Sequence, residues 1–178
     1  MFFLLKKLLL SALITPQDEI ISQSWPLFVP PVLTLLDDPN TEIRIRGLEI
    51  LTAFLHKLTW RLLLRTGLGE VFEDAVMPTL LYLPSLTPVD ESVRLLKPAY
   101  EALYTLADKR FPAKEAYTEN MRFMDRIIRH GVLQGYSHSH EYPQIVEVLL
   151  QEMDALINKM GIHSVKHLKV FRNPLIAP

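Results

Sequence analysis

Two stretches of this chain answer each other at a nearly fixed distance. Pro31 stands 47 residues before Pro78, and Ile43-Arg44 stands 50 residues before Val93-Arg94. Around both pairs, apolar residues recur at helical spacing, and alternating strand-like runs are nearly absent. A recurrence of this length marks helical-hairpin repeats of the HEAT type, which run about 40 to 47 residues before loop insertions. One hairpin cannot bury its apolar face alone, so units must stack. The pattern therefore predicts an all-α, HEAT/armadillo-like α-solenoid of antiparallel helical hairpins.

Local signals divide the chain. Thr15-Pro16-Gln17-Asp18 reads as a helix start, and Pro26 with Pro30-Pro31 reads as the opening of another helix running to Leu36. Asp37-Asp38-Pro39-Asn40 is a turn by composition. The next helix carries Ile43, Gly47, Leu51, Phe54, Leu55 and Leu58 on one stripe. Within this unit Asp38 is placed to accept hydrogen bonds from the helix start and to face an arginine of its own unit, such as Arg44, or of the neighbouring one, while Gly47 lets two helices approach. Thr66-Gly67 ends a helix and Gly69-Glu70 lets another begin close by. Met77-Pro78 introduces a short helix, Pro84 to Pro88 forms a loop, and a long helix is expected over 89–109 with a kink at Pro98. Further helices are expected over about 113–133 and 143–160, separated by the polar stretch 134–140, with Gly161 as a left-handed cap and a last helix from His163. The expected units are leading helices over 1–24, hairpins over 25–66, 67–110 and 111–160, and an incomplete terminal segment over 161–178.

Composition removes several function classes. With 19 basic and 20 acidic side chains the net charge is -1, so no overall field draws the chain to nucleic acid or anionic lipid. No run approaches the ~18 to 20 apolar residues a membrane helix needs, and Lys6-Lys7 interrupts the apolar opening in a way a signal peptide does not. A soluble protein with a buried or amphipathic first helix is expected. The absence of cysteine removes thiolate metal sites and thiol nucleophiles.

The remaining chemistry is thin. His163 and His167 are four apart, with His138, His140 and Glu141 nearby, which is the material for a metal site; solvated residues flanking a loop and a helix are the plainer reading. Gly67-Leu68-Gly69 lacks the third glycine and preceding strand of a dinucleotide loop. Glu73 and Asp74 read as a solvated face, with no base or pocket implied. Lys57, Arg61 and Arg65 recur every four residues as a basic stripe, either the outer side of a helix that buries Leu58, Leu62 and Leu63 or a contact for phosphate or an acidic partner. No catalytic residue, cofactor or metal site is assigned.

Longer words carry a resemblance. They are the run from Trp25 through Pro31 to Asp37-Asp38, then Thr66-Gly67-Leu68-Gly69-Glu70-Val71-Phe72-Glu73-Asp74-Ala75-Val76-Met77-Pro78, then Pro84 to Pro88, Tyr100, and 161–169. Over about residues 20–169 the chain resembles the second Tel-two-interacting protein family. That resemblance implies a non-catalytic α-solenoid subunit of the three-protein TTT co-chaperone complex. Such a subunit supports the stability and maturation of phosphatidylinositol-3-kinase-related kinases, working with the cytosolic ninety-kilodalton heat-shock chaperone. The implied partners are the other TTT subunits directly, and the kinases and chaperone indirectly, with neither membrane nor nucleic acid, in the cytoplasm and also the nucleus. Members of the family are usually longer, so a truncated product is expected. The implied motif residues are Trp25, Pro31, Asp37, Asp38, Arg44, Gly47, Gly67, Gly69, Glu70, Phe72, Glu73, Asp74, Pro78, Pro84, Pro88 and Tyr100. Of these, Gly67, Gly69 and Pro78 are expected to fix hairpin geometry, and Glu70, Glu73 and Asp74 to offer a polar surface. A helical interaction module of another pathway, a metal-dependent protein and a nucleic-acid binder are the alternatives.

Overall fold

A computed structural model describes residues 18–112 and 116–167. Among them there is no strand, and the helices pack on one another in an all-α, solenoid-like stack.

Helix α1 (Asp18–Leu36) is one helix where the prolines predict two. Pro26, Pro30 and Pro31 lie inside it, and the expected start at Thr15 lies outside the described residues. Proline removes a backbone donor and crowds the preceding turn, yet Pro26 and Pro30 are exposed while Val29, Val32, Leu35 and Leu36 are buried. Pro26 and Leu27, whose carbonyls Pro30 and Pro31 leave without a helical donor, are exposed, so water can serve those groups and the helix survives.

Helix α2 (Thr41–Lys57) starts at Asn40, whose side chain accepts from the backbone N–H groups of Glu42 and Ile43. The cap thus falls to Asn40 and not to an aspartate; Asp38 Oδ1 instead accepts from Asn40 N at 2.8 Å. Helices α1 and α2 form an antiparallel pair. Phe28 and Phe54 meet with ring centroids 5.8 Å apart, and a Cβ on Gly47 would stand 2.9 Å from Leu35 Cβ. Hydrogen is therefore the only side chain the crossing admits without a shift.

Helix α3 (Trp60–Thr66) begins immediately after Leu58 leaves the helical conformation and Thr59 caps the new start. That break divides the expected basic stripe: Lys57 belongs to α2, Arg61 and Arg65 to α3. Leu58, Leu62 and Leu63 are buried. Helix α4 (Leu68–Val76) follows at once and continues into a 3-10 turn (Met77–Leu81).

Helix α5 (Val89–Arg110) carries Pro98 in its interior and lies at the centre of the stack. Arg94 near its start pairs with Glu42 near the start of α2, and Lys109 near its end donates to the His56 carbonyl at 3.0 Å. Start meets start and end meets end, so α2 and α5 run parallel, as equivalent helices of stacked hairpins do. The same holds on the other side. Tyr104 Oη donates to Glu152 Oε2 at 2.8 Å, and Lys159 stands 3.7 Å from Asp108, aligning α5 with helix α8 (Pro143–Met160).

The connection to α8 departs from expectation. Helix α6 (Tyr117–Arg126) widens into a π segment (Ile127–Leu133), and helix α7 (Gln134–Ser139) follows without a break. The polar stretch over 134–140 is helical because Gly135 and Ser139 turn inward, Gly135 against Leu149, and Ser139 Oγ donates to the Gly135 carbonyl at 2.6 Å. The expected start near Ala113 lies outside the described residues. Gly161 has φ +55° but ψ -129°, so it is not the left-handed cap the sequence suggests; a 3-10 turn (Gly161–Ser164) follows it.

Candidate functional site

The α3–α4 corner is built from its glycines. Gly67 has φ +70°, ψ 9°, a left-handed conformation that ends α3 and starts α4 in one residue. Gly69 lies under the side chain of Arg110, whose Cδ would be 2.9 Å from a Cβ there. With that room, Arg110 crosses the first turn of α4, donates from Nη1 to Glu73 Oε2 at 2.9 Å and pairs with Glu70. The other Glu73 oxygen accepts from Arg126 Nε at 2.7 Å. Glu73 is only 8% exposed. It is therefore not part of a solvated face; it is the shared anion between the end of α5 and α6, while Glu70 and Asp74 remain exposed.

Beyond the corner, Asp74 and Pro78 form a rib between two grooves. The larger, about 730 Å³, runs between the end of α1 and the 3-10 turn, with Asp37, Asp38 and Asp74 on its rims. Arg44 forms part of its wall: Nε and Nη2 donate to the Asp38 carbonyl at 3.1 and 2.9 Å, and the guanidinium lies 3.9 Å from the Tyr82 ring centroid. Arg44 thus meets the Asp38 backbone where the sequence suggested the carboxylate, and it ties the first hairpin to the 3-10 turn. The smaller groove, about 410 Å³, lies toward Arg126, His130 and Gln134.

The resemblance residues are thereby distributed. Asp37, Asp38, Arg44, Asp74 and Pro78 come together at the larger groove, and Gly67, Gly69, Glu70 and Glu73 at the corner. Phe72 is fully buried, edge-on to Phe54 at 6.2 Å. Trp25 packs against the core, and Pro31 is half-buried on α1. Gly47 marks the α1–α2 crossing, Pro84 and Pro88 flank the turn before α5, and Tyr100 is fully buried, 6.2 Å from Tyr104. A Cβ on Gly131 would stand 2.8 Å from Tyr100 Oη and 2.7 Å from Leu80, a close approach in the π segment that sequence reading missed.

The histidines do not converge. His138, His140 and His163 are exposed, while His167 is buried with Nε2 2.7 Å from Asp125 Oδ1, contrary to the solvated reading. Lys166 and Arg129 approach the same carboxylate at 2.8 and 3.0 Å. Burial works to raise the Asp125 carboxyl, but these cations outweigh it and hold it below the ordinary value. Burial lowers the His167 imidazole against the pull of Asp125. Among the described residues no group of three or more histidine, aspartate or glutamate side chains could hold a metal ion. No helix among them is long and apolar enough to cross a membrane.

A sequence model of the Tti2 family matches residues 7–173. The chain belongs to the Tti2 family. That match spans both grooves, the corner and all three parallel helices. Tti2 membership supports a role as a subunit of the TTT complex, within a family of non-catalytic scaffolds. No solved structure matches it.

Proposed function

We propose that this chain is a non-catalytic scaffold subunit of the TTT co-chaperone complex. In this reading it supports the stability and maturation of phosphatidylinositol-3-kinase-related kinases. The observation that carries the proposal is the Tti2 match over residues 7–173 on a stack of parallel helices. A stack of this kind recognises partners by surface complementarity, with no bond made or broken. Its direct partners are the other two TTT subunits; the kinases and the ninety-kilodalton heat-shock chaperone are reached through them, in the cytoplasm and the nucleus. Its structural units are the stacked hairpins that end in the parallel helices α2, α5 and α8, the first opening with α1 at Asp18 and not at residue 25, and the motif residues at the corner and larger groove hold the shape of its surface.

A tagged form of the chain, recovered from its native cytosol and analysed by mass spectrometry, tests this reading. Recovery of both other TTT subunits in stoichiometric amount is expected. Their absence, with the chain folded and helical by circular dichroism, would overturn it.

A further inference from the structure

Helix α3 carries apolar residues on two sides. Leu62 and Leu63 are buried, yet Leu64 is 73% and Trp60 43% exposed. At 100° per residue, Trp60 and Leu64 fall within 40° of each other, and Arg61 and Arg65 follow as a second ridge directly beside them. Both arginines are exposed, and neither makes an ion pair or side-chain hydrogen bond among the described residues. The Arg61 guanidinium lies 5.4 Å from the Trp60 ring centroid, which holds the two ridges together.

On the apolar side of that ridge, a groove of about 580 Å³ opens between Trp60 and Leu64 and the Phe111-Pro112 segment after α5. Glu119 stands on its far rim. Arg110, the one basic residue lining the groove, is committed to Glu70 and Glu73. The groove itself is therefore apolar along α3, with the carboxylates Glu70 and Glu119 in its lining, while Arg61 and Arg65 lie on the next ridge, where with Thr59 and Leu62 they line a separate groove of about 450 Å³. A helix lying here needs an apolar stripe for the groove and carboxylates on the edge that meets Arg61 and Arg65. The segments of this chain outside the described residues do not supply it. Residues 1–17 and 168–178 contain Lys6, Lys7, Lys169 and Arg172 and no acidic residue, and 113–115 is three residues long.

We propose that the Trp60–Leu64 ridge with Arg61 and Arg65 is a docking surface for an acidic amphipathic helix of another TTT subunit. The partner's identity rests on the scaffold reading above; the chemistry it must present rests on the sign and spacing of the two ridges. An anionic membrane is the weaker occupant, because two arginines on a seven-residue helix in a chain of net charge -1 offer little to a lipid surface.

The test uses the full chain co-expressed with the other two TTT subunits. A photo-crosslinking residue replaces Leu64, and, as a control, Ile162, which is also exposed but lies on the turn after α8. The expected result is a crosslink from position 64 to an acidic helical peptide of another subunit, none from position 162, and at least a tenfold loss of affinity in R61E/R65E, with helix content unchanged. Partial recovery when the crosslinked peptide's carboxylates are changed to lysine would complete the case. If the assembly forms but position 64 does not crosslink to a subunit, or R61E/R65E binds as the parent does, the docking surface is overturned while the scaffold reading stands. If the unmodified chain does not assemble, both fall. Crosslinking between two copies of the chain, or Leu64-dependent sedimentation with phosphatidylserine vesicles, would replace the proposed occupant and overturn it.

Discussion

The Glu73 carboxylate settles two arginines from different helices, so its removal leaves Arg110, itself largely buried, without its main counter-charge. Breaking a fully buried pair costs about 3 to 5 kcal/mol; because Arg126 is nearly half exposed and Glu70 still faces Arg110, we expect about 2 kcal/mol for Glu73→Ala. Arg126→Ala should cost less than half as much. Urea denaturation of the two variants checks the order. Local sequence gave no sign of this, since the partners are 37 and 53 residues away and an Asp beside a Glu on a helix usually faces water. Gly47 is the opposite case. Its place on the apolar stripe already marked a helix contact, and the 2.9 and 3.0 Å approaches to Leu35 Cβ and backbone carbon supply the reason. Gly47→Leu should destabilise by about 1 to 3 kcal/mol through overpacking, read as a lower urea midpoint; an unchanged midpoint would mean that the crossing relaxes freely.

Between elements, the segment after α8 is fastened to α6 by His167 and Lys166 on Asp125 and by the edge-on contact of His163 with Tyr117. The imidazole of His167 is lowered on folding, so the unfolded chain binds that proton more readily. Its contribution is complete above the ordinary value near 6.5 and is lost as pH falls through that value toward the folded one. Asp125, held below the ordinary 3.8, adds stability that persists until well under pH 5. The melting temperature should therefore drop between pH 7.5 and 5.5, and His167→Gln should flatten that drop; equal slopes in thermal scans would show that His167 does not carry it. Helices were legible where periodicity and a flanking proline agreed, as at α2 after the Pro39-Asn40 turn, α5 after Pro88 and α8 from Pro143. They were misread where burial overrode a local signal. Outward prolines left α1 intact because water can reach the carbonyls they free, and Gly135 and Ser139 drew a polar stretch into helix α7.

At the scale of the whole molecule, α5 touches both parallel neighbours, α2 through the Arg94–Glu42 ion pair at one end and the Lys109 hydrogen bond to the His56 carbonyl at the other, and α8 through Tyr104 and Lys159. In a stack each helix feels mainly the helices beside it, so a lesion on one side of α5 should not spread to the other. Tyr104→Phe tests this, because the hydroxyl it removes serves Glu152, a half-buried carboxyl that burial already pushes above its ordinary value. Losing that donor should cost about 1 to 2 kcal/mol near neutral pH, and less as pH falls through the raised folded value, above the ordinary 4.5, where Glu152 takes up a proton. In amide hydrogen exchange the cost should appear as faster exchange across α8 and the segments packed on it, with α1 and α2 unchanged. Equal acceleration in α2 and α8 would instead describe one cooperative unit, and the surfaces on the α2 and α8 sides of the stack could then not open independently when partners bind.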